Sequence, residues 1–133
     1  MFKNILIIGF GMIGSSIARS VIKKYKNVNI FAFDKSNNLK IRINKSKLNN
    51  VKVLKSLQEI NNLNIDLIII CVPMLQYQSI FKKLSNINLD KTIVTDVGST
   101  KVNIEKLYNQ KKYKFNFIPS HPIAGIELSL IHI

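Results

Sequence analysis

The stretch Gly9-Phe10-Gly11-Met12-Ile13-Gly14 spaces its three glycines as GxGxxG. Between a strand and a helix, each glycine has its own task. Gly9 permits a tight turn, Gly11 lets the backbone approach a pyrophosphate that a Cβ would block, and Gly14 lets the helix pack close to the strand. A helix beginning there presents free N–H groups and the positive end of its dipole to phosphate. Phe10, Met12 and Ile13 fall in the same cofactor-binding turn. Taken alone, the motif also fits an ordinary glycine-rich turn. Asp34 stands twenty positions beyond Gly14. An acid ending the second strand accepts hydrogen bonds from an adenosine ribose and repels a 2′-phosphate, which favours NAD over NADP. Lys35 beside it softens that discrimination, and a turn acid is the plainer alternative for Asp34.

Three further clusters add to this pair. Cys71-Val72-Pro73 ends an apolar run, and Pro73 cannot continue a strand ladder. Val72 and Pro73 are therefore expected to give apolar contact to the dinucleotide. Cys71 reads as a small buried hydrophobe rather than a nucleophile. The second cluster is Asp96-Val97-Gly98-Ser99-Thr100-Lys101. Ser99 is placed to hydrogen-bond substrate or the nicotinamide amide, and Asp96 to hold the loop. The third is Ser120-His121-Pro122-Ile123-Ala124-Gly125. His121 offers an imidazole that accepts a proton near neutral pH, although a lone histidine on a loop is more often structural.

These residues need a frame, and the apolar pattern supplies one. Strands are expected at 3–8, 28–33, 51–54, 66–72, 92–97 and 115–119. Helices are expected at 12–25, 36–48, 56–61, 76–85 and 103–111, with Ile13, Ile17 and Val21 sharing one face of the first. Strand–helix alternation implies an α/β fold of the Rossmann type: a doubly wound, mainly parallel sheet with helices on both faces. Continuously apolar strands fit a sheet covered on both sides. Gly9, Asp34, Pro73, Ser99 and His121 all fall just past the carboxyl end of a strand, where open α/β sheets bind ligands.

Length and composition narrow the setting. A chain of 133 residues, 47% of them hydrophobic, suits one domain with a real core. The single cysteine makes no internal disulfide, and no metal site is expected. No apolar stretch approaches membrane-spanning length, so neither a membrane nor a secretory leader is expected, and the natural setting is cytoplasmic. The net charge of +13 raises nucleic acid as a partner. The lysines are scattered rather than clustered and arginine is nearly absent, so nucleic-acid binding is not expected.

The segments ILIIGFGMIGSSIA, DLIIICVP, IVTDVGSTK and FIPSHPIAG, in that order and spacing, resemble the prephenate/arogenate (cyclohexadienyl) dehydrogenase family. The DVGSTK and HPIAG pair carries most of the resemblance, which runs over nearly the whole chain. It implies NAD-dependent (less readily NADP-dependent) oxidative decarboxylation of prephenate or arogenate in tyrosine biosynthesis. It also implies that Ser99 and His121 lie at the substrate ring, with His121 on the 4-hydroxyl as hydride leaves for the nicotinamide. The family continues into a helical domain that forms a homodimer and supplies cationic groups for the substrate carboxylates. Ile126 replaces a small hydroxyl residue, and LSLIHI at 128–133 departs from the expected continuation. The 133 residues therefore read as the dinucleotide-binding domain of a truncated or fragmentary chain, expected to be inactive in isolation. Two alternatives stand beside this: another Rossmann reductase of the β-hydroxyacid dehydrogenase type, and a non-catalytic NAD-binding module.

Overall fold

The computed structural model describes residues 1–122; the expectations placed on Gly125, Ile126 and 128–133 lie outside them. Six strands form one sheet: β1 (Asn4–Ile8), β2 (Asn29–Phe33), β3 (Val51–Val53), β4 (Leu67–Ile70), β5 (Ile93–Asp96) and β6 (Asn116–Ile118). Their order is β3-β2-β1-β4-β5-β6, and every neighbouring pair is parallel. The order reverses between β1 and β4, so the crevice above their carboxyl ends is the topological switch point of a Rossmann sheet.

Alternation along the strands divides the core in two. In β1, Leu6 and Ile8 face a cluster with Ile68, Ile70 and Val94, covered by Ile80, Phe81 and Leu84 of α3 (Tyr77–Leu84) and Ile104 of α4 (Lys101–Lys111). Ile5 and Ile7 face the other way, onto Ile30 and Ala32, under Ala18 of α1 (Met12–Lys24) and Leu39 and Ile43 of α2 (Leu39–Lys45). Two-sided burial is why these strands read as continuous apolar runs. Phe81 anchors the α3–α4–β6 corner by edge contacts to Tyr108, Tyr113, Phe115 and Phe117, at centroid distances of 5.1–6.2 Å.

Three elements differ from expectation for local reasons. The seam of α1 runs along Gly14 and Ala18, whereas Ile13 is half exposed at the first turn. Helix α2 is shorter than 36–48. Its start is delayed because Asp34 Oδ1 accepts from the Ser36 N–H and Ser36 Oγ from the Asn38 N–H, turns that compete with the helix. Its end is set by Lys47, whose φ of 55° is left-handed. The segment expected as a helix at 56–61 is a 3₁₀ turn, Leu57–Asn62. Ser56 caps it, Glu59 returns to the Ser56 N–H, and Asn61 and Asn62 are poor residues for extending it.

Candidate functional site

The glycine turn leaves β1 and enters α1 directly. Gly9 has φ +90°, and a Cβ there would meet the Cys71 carbonyl oxygen at 2.7 Å, so both conformation and space demand glycine. At Gly14 a Cβ would sit 2.2 Å from the Gly9 carbonyl oxygen, the close helix-to-turn packing expected of the third glycine. Gly11 is different. Its φ of −81° suits any residue, and a Cβ would find nothing within 4 Å. The packing of the described residues therefore does not require glycine there.

Helix α1 opens without a side-chain cap and without an acid in its first turn. The first backbone bond of the helix runs from the Ser15 N–H to the Gly11 carbonyl, and the Met12, Ile13 and Gly14 amides have no partner among the described residues, which leaves them open to an anion. Met12 and Ile13 are exposed on this turn. A cleft of about 150 Å³ lies beside it, lined by Ile8, Gly9, Gly11, Phe33, Asp34, Lys35, Cys71, Val72, Pro73, Gln76 and Ile80. The glycine turn, the end of β2 and the loop after β4 thus meet in one crevice. A flat, phosphate-bearing dinucleotide fits this set of groups: apolar walls, free amides and a terminal acid.

Phe10 meets Asp34 and Arg42 through its backbone. Its ring is buried with the α1–α2 core. Its N–H donates to Asp34 Oδ2 at 2.8 Å, and its carbonyl accepts from Arg42 Nη1 at 3.0 Å. Asp34 also accepts from the Ser36 N–H at 2.9 Å and pairs with Arg42 Nη2 at 3.0 Å. Partial burial pushes the Asp34 carboxyl up; the Ser36 and Phe10 amides and Arg42 outweigh it and hold the group below the ordinary value. Asp34 is thus a pre-set anion at the cleft's edge. Arg42 was not legible as a partner from spacing alone. The available signal was its type: it is one of two arginines among twenty cationic residues.

Further along the carboxyl edge of the sheet, the loops after β5 and β6 are organised by Asp96, which is fully buried. Its carboxylate accepts from Tyr77 Oη at 2.9 Å, the Gly98 N–H at 2.9 Å and the Ser120 N–H at 3.1 Å, and pairs with Lys101 Nζ at 2.6 Å. The Ser120 hydroxyl donates to the Asp96 carbonyl, and Thr95 Oγ1 donates to the Ile118 carbonyl at 2.7 Å. The loops after β5 and β6 are therefore tied to one carboxylate. Ser99 is three residues beyond it and His121 is adjacent to Ser120; both are exposed. The expectation that Asp96 holds the loop understates its reach, since it holds both loops. Tyr77 was missed because it sits on a helix that reads as core.

Burial, then the charge of Asp96, pushes the Cys71 thiol up to about 12, which fits a wall residue rather than a nucleophile. The Tyr77 hydroxyl is pushed well above its ordinary value by burial first and Asp96 second. Among the described residues, no helix is long and apolar enough to cross a membrane.

A parallel 3-2-1-4-5-6 sheet with an open glycine turn, a terminal acid and a crevice at its switch point defines a dinucleotide-binding domain of the dehydrogenase type. A family model described as prephenate dehydrogenase, nucleotide-binding domain, matches residues 17–132, and the chain belongs to that family. It is 36% identical over 127 residues to the prephenate dehydrogenase of Lactococcus lactis subsp. cremoris (strain MG1363), across 92% of this chain and 34% of that protein. It is 32% identical over 127 residues to the cyclohexadienyl dehydrogenase of Zymomonas mobilis subsp. mobilis (strain ATCC 31821 / ZM4 / CP4), across 96% of this chain and 43% of that one. The chain thus spans less than half the length of these curated relatives. A solved structure of the prephenate dehydrogenase from A. aeolicus, in complex with hydroxyphenyl propionate and NAD+, superimposes with a TM-score of 0.75. The identity there is 27%, and the match covers 96% of this chain and 44% of that one.

Proposed function

We propose that this domain binds NAD for the oxidative decarboxylation of prephenate or arogenate, a step of tyrosine biosynthesis carried out in the cytoplasm. The observation that supports this reading is Gly11, where an added Cβ would meet nothing among the described residues, leaving open space beside the turn for a ligand. The α1 amides hold the pyrophosphate. Val72 and Pro73 wall the cleft, and Asp34 accepts from the adenosine ribose, favouring NAD over NADP. When bound there, the nicotinamide would supply the hydride acceptor for the oxidation. Ser99 and His121 stand at the substrate ring, with His121 taking the proton of the ring hydroxyl and Ser99 hydrogen-bonded nearby. In this reading the cationic groups for the substrate carboxylates, and a homodimer contact, come from a helical domain of the kind the resemblance implies.

The cofactor claim is tested by titrating NAD+ into the chain and into Gly11→Ala. The variant should keep its melting temperature, because its new methyl meets nothing, and should bind NAD+ at least tenfold more weakly. Equal affinity would remove Gly11 from the site. In the whole protein, His121→Ala should lower turnover about 10²–10⁴-fold, the usual worth of a general base, while NAD+ affinity stays near that of the parent. Near-normal turnover would take His121 out of the chemistry.

A further inference from the structure

Two cations of the chain, Arg42 and Lys101, are ion-paired to Asp34 and Asp96. Lys82, Lys111, Lys112 and Lys114 form no ion pair among the described residues, yet they converge on one cavity of about 540 Å³. No carboxylate lines that cavity among the described residues, and Gln78 and Asn86 add neutral polar groups to its wall. In sequence these lysines look scattered, because Lys82 lies in the last turn of α3 and the others lie around the end of α4. Both helices run back from the carboxyl edge of the parallel sheet. Both therefore end at its amino edge, opposite the glycine turn.

Packing fixes the two sides of this cavity relative to one another. Tyr113 lines it, and its ring lies 5.3 Å from that of the fully buried Phe81 of α3. Tyr108 Oη donates to the Phe115 carbonyl, and the Phe115 ring lies 5.5 Å from Phe81. The turn that carries Lys111, Lys112 and Lys114 is thereby held against α3. Helix ends account for part of the charge, since each carboxyl terminus carries about half a negative charge and favours lysine. Two such ends offset about one of the four ammonium charges, so the cavity stays strongly positive. Like charges held together cost stability unless an anion joins them. Lysine is a point charge with three donors, suited to phosphate oxygens. A single phosphate carries at most about two charges, less than this excess, whereas a chain of phosphates spreads more charge across the span from α3 to the turn. We propose that the cavity is a binding site for a short polyphosphate chain, free or carried by a nucleotide. Lys82 holds it from the α3 side, and Lys111 and Lys114 from the turn. The site is separate from the dinucleotide cleft and does not depend on how that cleft is read.

The test is a calorimetric titration of inorganic triphosphate into the parent chain and two triple variants of equal charge loss, with thermal melts to establish that each is folded. One variant is Lys82→Gln/Lys111→Gln/Lys114→Gln. The other, Lys23→Gln/Lys24→Gln/Lys26→Gln, removes three exposed lysines around the end of α1 that do not line the cavity. The parent should bind one triphosphate per chain, more weakly as salt is raised. The cavity variant should bind roughly tenfold more weakly or worse, as expected for loss of three exposed charge-assisted contacts, while the α1 variant stays within about twofold of the parent. A parallel titration with ATP identifies the source: tighter binding than triphosphate points to a nucleotide, and equal affinity to the phosphate chain alone. Equal weakening in both variants, or several triphosphates per chain, would show diffuse attraction by the net charge and overturn the proposal. So would a parent that binds no triphosphate. Binding that saturating NAD+ abolishes would overturn it as well, since the phosphates would then sit at the glycine turn.

Discussion

The two ends of the sheet's carboxyl edge are built on opposite plans. At the glycine turn, groups are left unspent among the described residues: the Met12, Ile13 and Gly14 amides at the start of α1, open space at Gly11 and the Nε of Arg42. At the loops after β5 and β6, the central carboxylate is consumed internally by Tyr77, Gly98, Lys101 and Ser120. Unspent donors cost stability unless a ligand or water takes them up, so they mark a binding surface. A satisfied buried carboxylate marks a fixture, which fixes the position of whatever hangs on it. Here that is Ser99 and His121, both exposed and themselves unrestrained by any hydrogen bond of their side chains among the described residues.

The contrast is broken most severely at Asp96. Asp96→Ala leaves the mostly covered Lys101 side chain without its partner and strips two loops of their anchor. Removing one member of a buried pair typically costs about 3–5 kcal/mol, a large share of a small domain's stability. Urea unfolding should show that loss. A loss under about 1 kcal/mol, as for a surface pair, would mean that water already serves these groups. Gly14→Ala comes next. Its methyl would press on the Gly9 carbonyl oxygen, and overpacking of this kind costs about 1–3 kcal/mol. Unlike Gly11→Ala, it should lower the melting temperature and NAD+ affinity together. A Gly14 variant that melts like the parent would erase the distinction between a packing glycine and a ligand glycine.

How far these plans are legible in the sequence differs between them. The sheet, its order of elements and the glycine turn follow from apolar runs and a local motif, because parallel strands buried on both sides and a strand–turn–helix unit are written in contiguous residues. Asp34 is legible for the same reason: its distance from Gly14 is the length of one helix and one strand. Arg42, Tyr77 and the full reach of Asp96 are not. Tyr77 and Asp96 are nineteen residues apart, and Asp96 and Ser120 twenty-four, so only the folded sheet brings them together. The shortened α2 was hidden by side chain-to-backbone turns at Asp34 and Ser36, which compete with helix without altering the apolar pattern. Ile13 misled because its spacing matches the helix face while the first turn lies beyond the sheet's cover.

The smallest effect falls on Cys71, which stands between the two ends. It lines the cleft with Gly9 and Asp34, yet it feels the charge of Asp96. Burial first and that charge second raise the thiol from 9.0 to about 12. The thiolate is the species that reacts, so at neutral pH the native thiol should alkylate on the order of a thousandfold more slowly than a free cysteine. Iodoacetamide labelling followed by mass spectrometry should find it protected in the native chain and reactive in urea. Asp96→Asn removes the charge but keeps the shape, and should quicken labelling only severalfold if burial is the larger cause. The same shift carries a stability consequence. A thiol harder to ionise in the folded chain than in the unfolded one contributes nothing adverse below pH 9 and weakens the fold as pH rises from about 9 toward 12. Rapid labelling of the native chain at neutral pH would show that the cleft wall is open or the thiol activated. The boundary between the satisfied end and the unspent end would then lie closer to Asp96 than the geometry places it.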